Sequence, residues 1–260
     1  MDKRNLQKKR ISFHRKALIY YSNFKLSIVV TTIIFVSLLF FTDLLNNFKN
    51  NLRTKFLSET AKKGFVLLNL EIGELKNVTA KEIVEYLGAD KDIPIFSIDM
   101  LSVKNKLEEN KWIESAMVAR KFPSTIAIVI KERTPIAIWQ FEGKLYLVDS
   151  EGNRISSYHG QKFDNLIQVV GSDANIYAQN LLFELNKYPS LAARVKSAVR
   201  FGQRRWNLKF NDNFTVKMPE SDFAVAYQYL AALNKSNKLF GNNYKMLDLR
   251  DADKYYFERY

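Results

Sequence analysis

The residues in this chain that could carry out acid–base, nucleophilic or metal chemistry form no recognisable cluster or motif. The chain has no cysteine, which excludes disulfides, thiol nucleophiles and thiolate metal ligands. Its two histidines, His14 in a basic tail and His159 in a turn-like stretch, have no acid or ligand partner at a recognisable spacing. Glycine-rich phosphate loops, HExxH and GxSxG are missing as well. The sequence therefore predicts a protein that is not an enzyme and that uses no cofactor or metal.

The chemically distinctive cluster that the sequence does contain is aromatic, and it lies in the last segment, Tyr255–Tyr260. Four of these six residues are aromatic, a composition enriched at the anchor points of protein interfaces, and Glu258 and Arg259 add one charge of each sign. A last strand can offer an open edge to an incoming strand. Alternatively, the rings of Tyr255, Phe257 and Tyr260 cover the core of their own domain. Composition by itself favours the second interpretation.

One long apolar run, Leu26–Thr42, determines where the rest of the chain is placed. Its seventeen uncharged residues span about 25 Å as a helix, close to the thickness of a bilayer core, and Leu44 and Leu45 extend the apolar face. Residues 1–25 carry eight Lys or Arg against one Asp. By the positive-inside rule this predicts a cytoplasmic tail over residues 1–25, a transmembrane helix over residues 26–45, and export of everything that follows.

Two other interpretations of the apolar run are weaker. A cleavable signal peptide needs a site with small residues, and the sequence after Phe41 reads Thr-Asp-Leu-Leu-Asn-Asn. A buried core helix would show a polar face, and the run has only isolated Ser and Thr residues, which lipid tolerates. The sequence therefore favours an uncleaved, single-pass membrane anchor.

The formal net charge of +13 is unevenly distributed. Eight basic residues against one acid give +7 in residues 1–25, and 32 basic against 26 acidic residues give +6 in the remaining 235. A basic segment beside a membrane span is accounted for by topology and by contact with anionic lipid. The charge therefore indicates no nucleic-acid partner.

Residues 46–64 form a predicted stalk, and the pattern then becomes that of a small α/β module. Phe65–Leu75 predicts a strand. Thr79 and Glu82 form a capping box for a helix that ends at Gly88. A second helix begins after a capping Asp99 and runs to about Asn110. Two strands follow, the second over residues 124–133, which gives the order β-α-α-β-β.

From Pro135 onward, the alternation of apolar and polar residues predicts a mostly antiparallel sheet that is backed by helices. Residues 136–141 and 144–149 form one predicted hairpin, and residues 205–210 and 214–218 form another. Asp173 is placed to cap a helix. A later helix, over residues 221–235, has four apolar residues on one face: Phe223, Tyr227, Leu230 and Leu233. The predicted fold class is α+β, with a single transmembrane helix, a small α/β domain and a larger antiparallel domain.

At this level of detail, the ordered motifs resemble those of the FtsQ family of bacterial cell-division proteins, also called DivIB, and particularly its alphaproteobacterial members. The longest similar segment covers residues 107–139, LEENKWIESAMVARKFPSTIAIVIKERTPIAIW. In the family, the corresponding segment has a Trp-Val pair after a helix, then a strand and a Pro, and then a second strand that ends in Glu-Arg-x-Pro-x-Ala-x-Trp. Three later segments are also similar: LVDSEG over 147–152, RRWNLK over 204–209 with VKMPE over 216–220, and LDLR over 247–250. These motifs recur in family order behind a similar tail and anchor.

The resemblance implies a POTRA domain over residues 65–133 and the family's β domain over residues 134–260. It further implies a divisome scaffold at the division septum that binds FtsB and FtsL in the periplasm. Such a scaffold links early and late division proteins and controls septal peptidoglycan synthesis. Its POTRA domain is available to bind other divisome proteins. Two other functions stay possible: a single-pass membrane sensor, and a POTRA-bearing component of secretion or outer-membrane assembly. A component of secretion or outer-membrane assembly would be expected to contain several POTRA repeats or a long β-barrel, and the sequence shows neither.

The resemblance also implies where the partner binds. An FtsB-like segment would add as a strand to the final segment, whose residues are Tyr255, Tyr256, Phe257, Glu258, Arg259 and Tyr260. Secondary interaction candidates are charged residues within the matched motifs: Arg250, Arg205, Arg133 and Glu132. With the resemblance taken into account, the strand-addition interpretation of the final segment is preferred to core covering.

Overall fold

The structure is a computed structural model that describes residues 28, 30–37, 44–221, 223–236, 244–251 and 254–260. The predicted cytoplasmic tail lies outside these residues, as do residues 26, 27, 29 and 38–43 of the predicted span. Residues 30–37 are helical, and a helix here named α1 covers residues 44–62. In the part of the chain that the structure describes, no helix is both long enough and apolar enough to cross a membrane.

The chain divides into two compact units. The first contains the described residues up to Leu68 together with Asp90–Ile98 and Phe122–Thr125. Within it, Val66 forms an antiparallel bridge with Pro94, and the Leu67 N–H donates to the Ile93 carbonyl at 2.9 Å. The strand predicted over Phe65–Leu75 is therefore interrupted, and only Asn69–Ile72 forms a regular strand.

The first part of the second unit confirms the predicted order of strands and helices. Its elements are β1 Asn69–Ile72, α2 Ala80–Leu87, α3 Met100–Glu109, β2 Ile113–Lys121 and β3 Thr125–Glu132. The strands form a sheet in the order β1-β3-β2. Thr79 and Glu82 form both bonds of the capping box, Gly88 ends α2 at φ 57°, and the Asp99 carboxylate accepts the N–H groups of Leu101 and Ser102. Local sequence signals thus position both helices.

Apolar side chains at helical and strand spacing make this module compact. α2 packs against α3, and α3 packs against β2. The buried residues are spaced four apart on the helices and two apart on β3: Ile83, Leu87, Val103, Leu107, Ile126, Ile128 and Ile130. These spacings place one face of each element in the interior.

The remainder of the second unit is built on a nine-stranded sheet. Its strands are β4 Ala137–Phe141, β5 Lys144–Val148, β6 Arg154–Ser157, β7 Gln168–Val170, β8 Val195–Phe201, β9 Arg205–Phe210, β10 Thr215–Lys217, β11 Tyr244–Asp248 and β12 Tyr256–Arg259. Its helices are α4 Ala174–Leu185, α5 Pro189–Ala192 and α6 Phe223–Lys235. The strand order is β12-β11-β10-β9-β8-β7-β4-β5-β6. Both predicted hairpins are present, and Glu142 and Gly143 turn the first with φ angles of 49° and 75°.

The sheet is mostly antiparallel, as the sequence predicts, but it also contains parallel pairs, which the predicted fold class of an antiparallel β domain did not include. Five neighbouring pairs are antiparallel. Three pairs are parallel: β4 with β7, β7 with β8, and β10 with β11. Parallel neighbours need a crossover connection, because the chain must return to the same end of the sheet. Helices α4 and α5 supply the crossover between β7 and β8, and α6 supplies that between β10 and β11.

One face of this sheet and the three helices enclose the main core. Leu181 and Leu185 of α4 and Tyr227 and Leu230 of α6 pack in one cluster with buried strand residues. Those strand residues alternate along their strands: Ala137, Val148, Val169, Ala198, Trp206, Leu208, Phe210, Val216 and Leu247. The helical face predicted for residues 221–235 is therefore confirmed, since Tyr227 and Leu230 are buried and Phe223 and Leu233 pack against the same cluster.

Helix α4 begins where the sequence predicts, but it is not capped as predicted. Asp173 occupies the N-cap position with no side-chain bond to the helix. Its carboxylate instead accepts the Nε–H of Arg200 at 3.3 Å. The Arg200 guanidinium also lies 3.8 Å from the centre of the Tyr177 ring. The capping prediction was wrong because the Asp173 backbone, at φ −113° and ψ 7°, lies outside the extended region that a capping residue adopts, and the carboxylate instead pairs with β8 through Oδ2.

The turn over residues 149–153 shows what the LVDSEG motif does. Asp149 is 5% exposed, and its carboxylate accepts N–H groups from Glu151, Asn153 and the Arg133 guanidinium. Gly152 is buried at φ 83°, and its carbonyl accepts the Asn175 amide at 2.8 Å. The motif is therefore a structural joint that ties β5 to β3 and α4.

Replacing Gly152 with alanine is expected to destabilise this joint by about 2 kcal/mol, because a side chain at positive φ is strained and overpacking adds to the cost. The new Cβ would lie 3.0 Å from the Asn175 carbonyl oxygen and 3.0 Å from the Ile176 Cα, both of them backbone atoms. Urea unfolding of the two proteins measures the difference. Gly143→Ala is the matched control, since Gly143 is also at positive φ and has nothing within 4 Å of its Cβ position. Equal losses at both sites would contradict the close approach as the cause.

Candidate partner-binding strand

Strand β12 lies at one end of the nine-stranded sheet. It pairs antiparallel with β11, with Asp248 opposite Tyr256, Leu247 opposite Phe257 and Tyr244 opposite Arg259. Within the described residues, no strand pairs with its other edge. That edge exposes main-chain N–H and C=O groups, which are a template for another strand. The predicted segment Tyr255–Tyr260 is therefore an edge strand in the structure.

Side chains alternate along β12, so that only part of the aromatic cluster serves the core. Phe257 is half-buried and packs against the main core, and its ring lies 4.6 Å from that of Tyr244 on β11. Tyr255, Tyr256 and Tyr260 are all more than half exposed. The core-covering interpretation thus applies to Phe257, while Tyr256 and Tyr260 are exposed and Tyr255, although more than half exposed, has its ring 6.1 Å from that of Phe257.

Tyr255 is held by a contact that the sequence did not reveal. Its ring lies 4.9 Å from that of Tyr229 on α6. Burial, followed by the hydrogen bond with Tyr255, raises the pKa of Tyr229. Tyr229 lies off the helical face that carries Tyr227 and Leu230, and an aromatic residue displaced from the apolar face is the signal that was available. The pair fixes the start of β12 on the helix.

The charged residues of this edge are paired across β11 and β12. Glu258 forms an ion pair with Lys245, and the Arg259 guanidinium lies 5.4 Å from the centre of the Tyr244 ring. Arg250 donates to both carboxylate oxygens of Asp248, with the Nε–Oδ1 distance at 2.8 Å. Hydrogen bonds from Arg250 hold the pKa of Asp248 below its ordinary value. Of these pairs, Glu258 with Lys245 joins the two strands, whereas Arg250 with Asp248 lies at the end of β11, and within the described residues neither pair involves another strand on the outer edge of β12.

A cavity of about 530 Å³ opens beside the start of β12. Its walls come from the start of α6 and from the connection between β11 and β12, and they include Pro219, Val225, Tyr229, Leu249, Arg250, Lys254 and Tyr255. Apolar and charged side chains both contribute, which is typical of a site that receives one side chain or turn of a partner. Because Tyr255 lines it, the cavity and the strand edge form one continuous surface.

The other predicted site residues are not brought to this edge, apart from Arg250. The Arg205 guanidinium lies on β9, 4.7 Å from the centre of the Phe201 ring. Arg133 pairs with Asp149, with Nη1 and Oδ2 2.6 Å apart. Glu132 accepts the backbone N–H groups of Lys76 and Asn77 at 2.6 and 2.8 Å. In the described part of the chain, no three His, Asp or Glu side chains come together as metal ligands.

Comparison with known proteins assigns the family. The chain matches the profile "POTRA domain, FtsQ-type" over residues 67–133 and "Cell division protein FtsQ/DivIB, C-terminal" over residues 137–250. It is 45% identical to cell division protein FtsQ of Rickettsia felis over 96% of this chain and 93% of that protein. It is 32% identical to cell division protein FtsQ of Bradyrhizobium diazoefficiens over 74% of this chain and 56% of that protein.

A solved structure of the major extracytoplasmic domain of the cell division protein DivIB from Geobacillus stearothermophilus is a more distant match. It aligns with 41% of this chain and 97% of its own, at a TM-score of 0.30 and 14% identity. The family assignment rests on the sequence profiles and on the relatives, which together span both the small module and the nine-stranded sheet. This chain belongs to the FtsQ/DivIB family of cell-division proteins.

Proposed function

We propose that this protein is a divisome scaffold, anchored in the inner membrane by residues 26–45 and carrying its POTRA and β domains in the periplasm. In this role it binds FtsB and FtsL, links early to late division proteins, and helps to control septal peptidoglycan synthesis. Family membership supports a role in cell division. The observation that carries the binding step is the accessible outer edge of β12.

Strand addition is the mode of binding that this edge favours. Main-chain hydrogen bonds to the outer edge of β12 supply affinity without requiring a particular sequence. Specificity then comes from the exposed tyrosines, since aromatic side chains bury large areas at low entropic cost and often anchor interfaces. The ion pair of Glu258 with Lys245 adds a charge of each sign beside these rings.

The cavity next to Tyr255 gives the partner a second point of contact. A segment that continues past the start of β12 reaches walls formed by Val225, Leu249 and Tyr229. Arg250 and Lys254 line the same cavity, as do Glu220 and Asp251. An apolar side chain flanked by polar groups fits this lining, so we propose that the partner places such a residue there.

The membrane anchor in this proposal is supported by the sequence of the first 45 residues. The apolar run is uncharged over seventeen residues, and eight basic residues precede it. Within the described residues, Ile33, Ile34 and Phe35 are each more than half exposed, as lipid-facing side chains are. A tether of this kind holds the binding edge in the periplasm next to other membrane-anchored division proteins.

Localisation in dividing cells tests the proposed function. A fluorescent protein fused to residue 1 of the full chain is expected to concentrate at mid-cell during constriction. The matched control is the same fusion to residues 1–64, which contain the tail, the predicted anchor and α1, and which define the background of uniform membrane distribution. A full chain that stays evenly distributed around the membrane would contradict the scaffold role and favour a membrane sensor.

A further inference from the structure

A stripe of large apolar side chains runs along the surface of α1. Leu44, Phe48, Leu52 and Phe56 recur every four residues, and each is more than half exposed. Residues four apart lie on the same side of a helix, one turn above another. α1 therefore presents to its surroundings a face that a water-soluble helix would bury.

The stripe continues into a cluster of phenylalanine rings within the first unit. The ring of Phe56 lies 5.4 Å from that of Phe96, and Phe96 lies 5.5 Å from Phe122. Phe65 contacts both, at 5.7 Å from Phe96 and 5.9 Å from Phe122. Phe122 is 59% exposed. We name these six residues the phenylalanine patch: Phe48, Leu52, Phe56, Phe65, Phe96 and Phe122.

Basic side chains border the α1 part of this patch on both sides. Lys49 and Arg53 each follow a stripe residue by one position, and Lys55 precedes Phe56 by one, so they project about 100° to either side of the stripe. The face opposite the stripe is uncharged: Asn46, Asn50, Thr54 and Ser58. The one acid of α1, Glu59, pairs with Lys62 at 2.8 Å.

We propose that the phenylalanine patch docks on the anionic lipid surface next to the predicted anchor, an inference that rests on the anchoring part of the proposed function. Phenylalanine and leucine side chains enter the boundary between headgroups and acyl chains, while Lys and Arg reach to phosphate groups. Basic residues on both borders of an apolar stripe are the arrangement that this contact requires. Acidic residues of the first unit, Asp90 and Asp92, lie on a separate loop beside Lys91.

Two other occupants fit these observations less well. A second copy of the same stripe would bring the same basic borders together, and like charges at close range are unfavourable. A partner helix packs along a single seam, whereas the patch takes its rings from α1, from Phe65 just after that helix, from the turn at Phe96 and from the hairpin end at Phe122. A fluid lipid surface adapts to rings from four segments.

The absence of cysteine makes the test direct, since one introduced cysteine gives a unique labelling site. Full-length Leu52→Cys and Phe122→Cys proteins, labelled with the fluorophore NBD, are reconstituted in vesicles of phosphatidylethanolamine and phosphatidylglycerol that carry doxyl-labelled lipid. Doxyl groups are expected to quench both probes. Ile176→Cys, at an exposed position on α4 of the second unit, is the control whose emission is expected to persist.

Charge reversal tests the role assigned to the basic border. Each Lys or Arg near an anionic surface strengthens binding about fivefold, so K49E/R53E/K55E in the Leu52→Cys protein is expected to lower the equilibrium constant for docking by about 100-fold or more and thereby to reduce the quenching. Circular dichroism checks that α1 is retained. Quenching that is unchanged by this triple substitution would overturn the proposal, because it assigns anionic headgroups to these three side chains.

Flotation of the vesicles separates the two proposals. If the chain floats but its probes at positions 52 and 122 are not quenched, the anchor stands and the docking proposal is wrong. Probes that are unquenched yet shifted to the blue would show that protein covers the patch, which also overturns it. If the chain does not float at all, the anchoring part of the proposed function fails, and lipid docking fails with it.

Discussion

A proline at one of two neighbouring positions in β12 is expected to weaken partner binding strongly without destabilising the protein. Along a strand, the N–H groups of successive residues point to opposite edges. One of Glu258 and Arg259 therefore directs its N–H toward β11, and the other directs its N–H to the outer edge. Proline removes the N–H and adds a ring at that place. Glu258→Pro and Arg259→Pro should consequently have opposite effects.

At the outer position, proline leaves the hydrogen bonds between β11 and β12 intact. It removes one main-chain N–H that the partner strand would accept, and its ring prevents the partner's backbone from coming close at that residue. We expect the affinity for the periplasmic part of the FtsB protein of the same bacterium to fall about 100-fold, which corresponds to roughly 2.7 kcal/mol. At the inner position, proline instead removes a hydrogen bond between β12 and β11. That variant should instead unfold at a lower urea concentration.

Threonine at the same two positions supplies the matched controls. Glu258→Thr and Arg259→Thr remove the same side chains, including the ion pair with Lys245, but they keep the N–H groups. Because both side chains are exposed, we expect each threonine variant to change affinity less than tenfold, as rim contacts do. Calorimetry measures binding, and urea unfolding measures stability. Equal affinities for all four variants would show that the partner does not add to this strand.

Asp149→Ala is expected to cause the largest loss of stability, about 3 kcal/mol or more, because removing one member of a buried ion pair leaves the other charge uncompensated. Arg133 is 21% exposed at its side chain and pairs with Asp149 at 2.6 Å. The same carboxylate also accepts the N–H groups of Glu151 and Asn153, which alanine would leave without their partner. Urea unfolding of the full chain, followed by tryptophan fluorescence, measures the loss.

The pH dependence of the free energy of unfolding of Asp149→Asn shows how much of the effect is due to the charge of Asp149. Burial alone raises the pKa of Asp149, but the N–H of Asn153 and the Arg133 guanidinium outweigh it, so the pKa lies below its ordinary value of 3.8. A depressed carboxyl pKa contributes stability above the unfolded-state pKa and loses it as pH falls through the folded-state pKa. The stability difference between wild type and Asp149→Asn should be constant near neutral pH and shrink below about pH 4. A difference that persists at low pH would show that shape, and not charge, is responsible.

Local sequence signals predicted the parts of this fold whose determinants lie within a few residues. The capping box of Thr79 and Glu82, the cap at Asp99 and the turn at Glu142 and Gly143 each depend on neighbours in the chain, and all three are present. The nine-stranded sheet was harder to predict from the sequence. Alternation with period two is the same for parallel and antiparallel neighbours, so it did not reveal the parallel pairs. The strand β7 has only three residues and produces no pattern.

The candidate site likewise has a part that the sequence predicted and a part that it did not. The aromatic composition and the family resemblance identified Tyr255–Tyr260 as a strand worth testing, and the structure places that strand at the end of the sheet. The secondary candidates were chosen from motifs alone. Arg133 pairs with Asp149, and Glu132 bonds to backbone groups at Lys76 and Asn77. Contacts between residues so far apart in sequence depend on tertiary packing, which one sequence does not specify.

The three parallel pairs also bear on how the chain assembles. Each joins residues about thirty positions apart: Ile138 with Gln168, Gln168 with Ser197, and Thr215 with Met246. Such pairings form only after a long loop has closed, which costs entropy and slows folding. The hairpin of β11 and β12 joins the sheet through the last of them. The outer edge of β12 therefore joins the sheet only after the connection between β10 and β11 has closed, so a partner that adds to β12 recognises molecules in which this closure has taken place.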